Sequence, residues 1–260
     1  MADMVGSIKR NIDLKDDIRQ AFIVMRYEFM KFVSGKKIFI YAAINLIILA
    51  IVAAIFFTSS GNTTTEGMMG DFISFLSLIL LIGVTLFASV TLVSEFEERT
   101  SLLLFTKPIR KGSIFAGKFL AAYLLCFAIV IVYYVASAII TSIETGGFTS
   151  KMFPSLGYCA LDLFALTGIA MMFSALMKKS SSASILTFVF ILLVPAIIQV
   201  VVSVTADLDP WFMLNYAEAA VMNSISGYSS YDGPRDAAVM FIWGLIPLIA
   251  SYFLFRGRQV

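Results

Sequence analysis

Four groups of residues in this chain have types and spacings that suit chemistry. The first is Gly112-Ser-Ile-Phe-Ala-Gly117-Lys118, which has the GxxxxGK spacing of a phosphate-binding loop. Phe119 stands where a Ser or Thr would hold magnesium, and an apolar helix follows with no strand ahead of it. Without the strand–loop–helix context the backbone amides cannot cradle a nucleotide, so no ATP site is expected here. The second group is Cys126 and Cys159. Both fall inside apolar runs, so they read as small buried residues rather than as a disulfide framework or a thiolate metal site. The third is Asp162, the sole carboxylate inside a predicted membrane span. A charge at mid-membrane costs about 2.5–3.5 kcal/mol, so Asp162 should face protein or water. Two roles stay open for it: a hydrogen bond across helices to Ser or Tyr, and a substrate or proton role on a pathway. Pro195, in the fifth apolar run, is its companion candidate, because a kinked span often lines a pathway. The fourth group is the charged stretch from Ser94 to Lys118, which lies between two long hydrophobic runs.

The chain contains no histidine. That removes His-based metal sites and His-dependent dyads. It also disposes of Glu97-Glu98-Arg99 as the glutamate–arginine signature of a membrane prenyl protease, whose arginine spacing differs as well. No catalytic residue, metal or bound cofactor is expected, and no nucleic-acid partner.

The elements that must position these residues follow from composition. Sixty per cent of the residues are hydrophobic and 14% are charged, whereas a soluble domain carries about 25% charged residues. The chain therefore belongs in a bilayer. Apolar runs at about 38–57, 72–93, 113–142, 156–177, 183–205 and 237–255 are each near or above the ~20 residues that cross a hydrocarbon core. With no water at that depth to satisfy the backbone, they must be helices. The fold class is all-α: a polytopic membrane protein with six transmembrane helices. Residues 1–37 form a cytoplasmic N-terminal segment and 38–260 the six-helix domain. Within the former, Leu14, Ile18, Ala21, Phe22, Met25, Phe29, Phe32 and Val33 recur at helical spacing. Lys15, Arg19, Arg26 and Lys31 point elsewhere, which suits an interfacial helix under the inner leaflet. No cleavable signal peptide is expected, because the first apolar core begins at Ile38.

Charge sets the orientation. With the N-terminus inside, 17 of the 19 Lys and Arg residues fall in cytoplasmic segments, leaving Lys151 and Arg235 outside. Both termini are then cytoplasmic. The outer loops are acidic, and Asn62-Thr63-Thr64 among them is an N-glycosylation acceptor pattern. The last outer segment, 206–236, contains Asp209-Pro210 as a cap and first turn, followed by an amphipathic stretch. It reads as a short amphipathic or re-entrant element, either a lid over a pathway or an anchor for the sixth span.

The 94–118 stretch opens on Glu95, Glu97 and Glu98 and closes on Lys107, Arg110, Lys111 and Lys118. Leu102-Leu103-Leu104-Phe105 lies between, ended by Pro108. Acids at a helix start and bases near its end suit the macrodipole, so a short helix over about 95–108 is expected, lying flat at the membrane surface as a docking element.

That stretch resembles the first cytoplasmic loop of the ABC-2 type permeases. Glu95, Glu97 and Thr100 take the first anchor places of the family pattern, and Leu103 and Leu104 its leucine stretch. Pro108 and Lys111 take the proline and basic places, and Gly117-Lys118 the final pair. Arg99 stands where Gly is usual and Ser101 where Leu is usual, which leaves the helix start open. The resemblance implies that the loop is a coupling helix seated in a groove of a separate ABC ATPase subunit, where ATP and Mg are bound. It implies too that a second copy of the permease completes the transporter, with a pathway between copies lined by the second and fifth spans. Glu95, Glu97, Glu98 and Arg99 are then the expected ATPase contacts, with Thr100, Leu103, Pro108, Lys111 and Lys118 completing the coupling surface. Export of a substrate across the cell membrane is the first function this implies. The alternatives are a cargo-less subunit passing ATP-driven movement to an extracytoplasmic partner, as in relatives linked to copper-enzyme maturation, and an unrelated six-span scaffold.

Overall fold

A computed structural model describes residues 14–58, 64–97, 110–206, 210–226 and 232–257. Among the described residues there are ten helices and no strand. They are α1 (Leu14–Ser34), α2 (Lys36–Thr58), α3 (Thr65–Ser74), α4 (Leu76–Leu86), α5 (Val93–Glu97), α6 (Lys111–Thr145), α7 (Met152–Leu176), α8 (Ser180–Ala206), α9 (Leu214–Ser226) and α10 (Gly233–Gly257). Among the described residues six stretches are long and apolar enough to cross a membrane: α2, α3 with α4, α6, α7, α8 up to Val202, and α10. The all-α, six-span architecture expected from the apolar runs is the architecture found. Asn62 and residues 98–109 lie outside the described residues.

The second span departs most from the hydropathy reading. It runs from Thr65 to Leu86 rather than over 72–93. Its start is set by a cap: the Thr64 Oγ1 accepts the Gly67 amide at 3.2 Å, so the helix begins ahead of its apolar residues and carries Glu66 and Asp71. It breaks at Phe75, where the Tyr133 hydroxyl of α6 donates to the Phe72 carbonyl at 2.7 Å. At its other end it unwinds. Residues 87–92 are turns, apolar enough to read as helix but held by bonds a helix lacks. The helix ahead of the last span also starts later than Pro210: residues 211–213 form a turn, with the Met213 amide on the Pro210 carbonyl at 3.0 Å, and α9 opens at Leu214.

Packing centres on α7, which touches α4, α6, α8, α9 and α10. Its central stretch is 72% buried against 11% for α8, so α7 is the core of the bundle and α8 its outer edge. Close approach to α10 needs glycine: a Cβ on Gly168 would collide with the Gly244 carbonyl. Small residues at such crossings let helices gain van der Waals contact where lipid supplies no hydrophobic drive. The same device seats α1, since a Cβ on Gly117 of α6 would come within 2.5 Å of the Ala21 carbonyl. The face expected of α1 splits in two. Phe32 is buried and Met25 and Phe29 pack on the core, whereas Ile18, Phe22 and Val33 are exposed, as are Ile23, Tyr27 and Met30 beside them.

Candidate functional site

Chemistry-bearing side chains gather at the two ends of the bundle. The basic end holds the α1–α2 junction, α5, the first turns of α6, the α7–α8 turn and the end of α10. At its centre is Lys118, 1% exposed. Its ammonium donates to the Glu28 carboxylate, to Glu95 Oε1 at 2.8 Å and to the Thr91 carbonyl at 3.3 Å. An ammonium has three N–H donors, and all three are used. Glu28 comes from α1, Thr91 from the turn after α4, Glu95 from α5 and Lys118 from α6, so one cation ties four segments together.

The turn at 87–92 is the second part of this end. Non-helical backbone is tolerated at depth only where protein satisfies it, and here Ser and Thr hydroxyls do so. The Leu92 and Val93 amides both donate to Ser174 Oγ of α7, at 3.0 and 3.1 Å. Ser89 Oγ pairs with Ser184 Oγ of α8 at 2.9 Å, and Phe87 meets Phe32 edge-to-face at 5.4 Å. The short α5 is fixed at its far end as well. Phe96 packs on Phe255 of α10, with ring centroids 6.1 Å apart. The Glu97 carboxylate accepts from the Ser180 amide at 2.8 Å and the Ser180 hydroxyl at 2.5 Å. These bonds hold the Glu97 carboxyl below its ordinary value of 4.5. Glu97 thereby serves the N-terminus of α8, a helix 83 residues away, rather than its own.

The structure revises several of the coupling residues. Glu95 and Lys118 are buried in the ion cluster, so their side chains are not a surface that a partner can touch. Glu97 is exposed but engaged with Ser180. The Lys111 ammonium donates to the Arg256 carbonyl at 3.2 Å, and Arg110 pairs with Asp17 of α1 at 2.8 Å. Glu98, Arg99, Thr100, Leu103 and Pro108 lie outside the described residues. Reading by sequence missed Glu28, Thr91, Ser174 and Ser180. Glu28 had a signal, because it falls on the stripe Ala21, Met25, Glu28, Phe32, where an acid interrupts an apolar face.

At the acidic end, Asp162 of α7 is fully buried, and neither carboxylate oxygen has a hydrogen-bond partner among the described residues. The expected bond from Ser or Tyr is not made among the described residues. Two hydroxyls of the same bundle bond one another instead: Tyr134 pairs with Ser155 at 2.9 Å, and Ser155 donates to the Val221 carbonyl at 2.6 Å. Asp162 instead lines a cavity of about 330 Å³ between α3–α4, α7 and α9, shared with Ser77, Asn215 and Glu218. Burial holds the Glu218 carboxyl above its ordinary value, and the Ser77 bond partly offsets this. Pro195 is elsewhere: it is buried within α8, which runs on through it as a single helix. No cluster of three or more His, Cys, Asp or Glu residues able to hold a metal occurs among the described residues.

The fold is thus a six-span helical bundle whose short α5, after the second span, is braced to α1, α6, α8 and α10. The family model described as ABC-2 family transporter protein matches residues 86–260. The chain belongs to that family, whose members are membrane permease subunits rather than ATPases and whose membership implies an ATPase partner. Among characterised proteins it is similar to the probable ABC transporter permease protein NosY of Stutzerimonas stutzeri. The two are 23% identical over 228 residues, covering 76% of this chain and 83% of that protein.

Proposed function

We propose that this chain is the permease of an ABC exporter in the cell membrane. Two copies work with two copies of a separate ATPase, which binds ATP and Mg. The basic end and both termini face the cytoplasm, the exposed apolar row of α1 rests on the lipids of the inner leaflet, and the bare face of α8 meets the second copy. ATP binding favours one arrangement of the dimer by differential affinity, and hydrolysis releases it. Asp162 and Pro195, on the fourth and fifth spans, are candidates for separate parts of the pathway.

The observation that carries this reading is the bracing of α5. The loop leaves α5 at Glu97 and rejoins at Arg110, and α5 is bound to α1 and α6 through Lys118, to α8 through Ser180 and to α10 through Phe255. A partner that pushes on residues 98–109 moves all of these helices together, because packed elements shift as rigid bodies. Glu98, Arg99, Thr100, Leu103 and Pro108 are assigned as the partner-facing surface. Glu95 and Lys118 are its internal posts.

The test is co-purification. The chain is expressed with a candidate ATPase and the complex weighed by native mass spectrometry, with two copies of each subunit expected. Glu98→Lys should release the ATPase while the permease stays folded; Glu97 is left alone because it already holds Ser180. A permease that never retains an ATPase, or a Glu98→Lys variant that retains it fully, overturns the assignment. An additional extracytoplasmic protein in the complex, with no cargo moved, would replace export by mechanical transmission.

A further inference from the structure

The cavity at the acidic end has the make-up of a ligand site, and Asp162 points to what fills it. A fully buried carboxylate without a hydrogen bond is costly, and an oxygen pair of this kind is satisfied by a donor that brings positive charge. Protonation alone would not serve, because a carboxylic acid still needs an acceptor for its O–H. Glu218, Asn215, Ser74 and Ser77 add further oxygen acceptors to the same walls. The remaining walls are aliphatic: Ile73, Leu76, Leu80, Val221 and Met222.

Three features select among cations. A bare metal ion would leave the aliphatic half unused, and a cavity of about 330 Å³ far exceeds the cage of oxygens at 2.3–2.6 Å that calcium takes. A quaternary ammonium is recognised over aromatic faces, and no aromatic ring is among the cavity's lining residues. A primary or secondary ammonium uses both halves, with its N–H groups on the two carboxylates and its hydrocarbon body on the aliphatic walls. Charge-assisted hydrogen bonds of that kind are the stronger ones, and the cavity falls within the size range of small-molecule sites.

We propose that Asp162 and Glu218 form a binding site for the ammonium group of an amine with an aliphatic body. Asp162 is the buried anchor and Glu218 the outer one, with Ser77 on the same wall. This site stands on its own geometry and does not depend on the ATPase assignment. Amine binding by a chain that never retains an ATPase would keep this site and overturn that reading. Ethanolamine lipid headgroups offer the same ammonium chemistry as a free amine, so the test separates them.

The full chain is reconstituted in phosphatidylcholine nanodiscs and titrated with n-hexylammonium by isothermal titration calorimetry. n-Hexanol is the neutral control and hexyltrimethylammonium the quaternary one. Saturable binding of the primary amine, at least about tenfold tighter than either control, is expected. Asp162→Asn should weaken it about tenfold or more, and Glu218→Gln, at the outer wall and less exposed to folding defects, should weaken it too. Repeating the titration with phosphatidylethanolamine in the disc identifies the source: competition assigns the headgroup, and unchanged affinity assigns a free amine. Equal binding of hexanol, equal binding of the quaternary amine, or full affinity in both variants overturns the proposal.

Discussion

The two ends of this bundle bury carboxylates in opposite ways. At the basic end Glu28 and Glu95 close on Lys118, and every ammonium N–H has an acceptor. At the acidic end Asp162 lies as deep as Lys118, lines a cavity together with a second acid, Glu218, and has no hydrogen bond among the described residues. A buried ion set that is internally complete can only hold elements together. An incomplete one leaves a place for something else. The first arrangement suits the root of a loop that must carry force, and the second suits a site that must exchange its occupant.

That contrast is broken most directly at Lys118. Lys118→Met keeps the hydrocarbon stem and removes the cation, leaving two buried carboxylates and the Thr91 carbonyl without their donor. Removing one partner of a buried ion set costs about 3–5 kcal/mol. Thermal unfolding in detergent should therefore move down by more than for Ser174→Ala, Glu97→Gln or Asp162→Asn. Combining Glu28→Gln and Glu95→Gln with Lys118→Met should recover much of the loss, because no uncompensated charge remains. A mild Lys118→Met would mean that the cluster does not brace the loop.

Ser174→Ala comes next. It takes the shared acceptor from the Leu92 and Val93 amides, both inside the bundle. An orphaned buried donor costs about 1–3 kcal/mol. Hydrogen exchange should rise at 87–93 while the α7 and α10 amides stay protected. Uniform exchange across the bundle would show that the turn is not a separate joint.

Most of the fold was legible and most of the bracing was not, for a physical reason. A hydrocarbon core demands about twenty apolar residues in helical form wherever they occur, so six spans can be read off. Where a helix stops inside such a run depends on partners far away in sequence. Phe87 to Val93 reads as about two more apolar turns, and Ser174, Ser184 and Lys118 from other helices bond the unwound segment. Lys118 looked like the last basic residue of a surface loop, because its partner Glu28 is 90 residues away. Asp162 was legible as a candidate. Its company was not, since Glu218 lies on α9, between the fifth and sixth spans, whose return onto α7 no local pattern announces.

Glu97 sharpens the contrast from the exposed side. Its carboxyl is held below 4.5 by the Ser180 amide and hydroxyl, so its stabilising effect is present above the unfolded value and fades as pH falls through the lower folded one. Unfolding midpoints measured from pH 6 down to 3 should therefore drop more steeply in the wild type than in Glu97→Gln. Parallel curves would show that the carboxylate adds nothing at the α8 N-terminus.

The smallest effect is expected where the burial is most complete. Asp162→Asn exchanges an acid that has no protein hydrogen bond for a neutral amide of similar size. At the basic end the same kind of change would strand partners, but here no described residue depends on the carboxylate. The substitution strands no protein partner, so the unfolding free energy of the amine-free protein should stay within about 1 kcal/mol of wild type. A drop comparable to that of Lys118→Met would mean that Asp162 holds a structural partner and that the two ends are built alike. An unchanged or higher midpoint together with lost amine binding would separate the two designs: a residue kept for its ligand at no benefit to the fold.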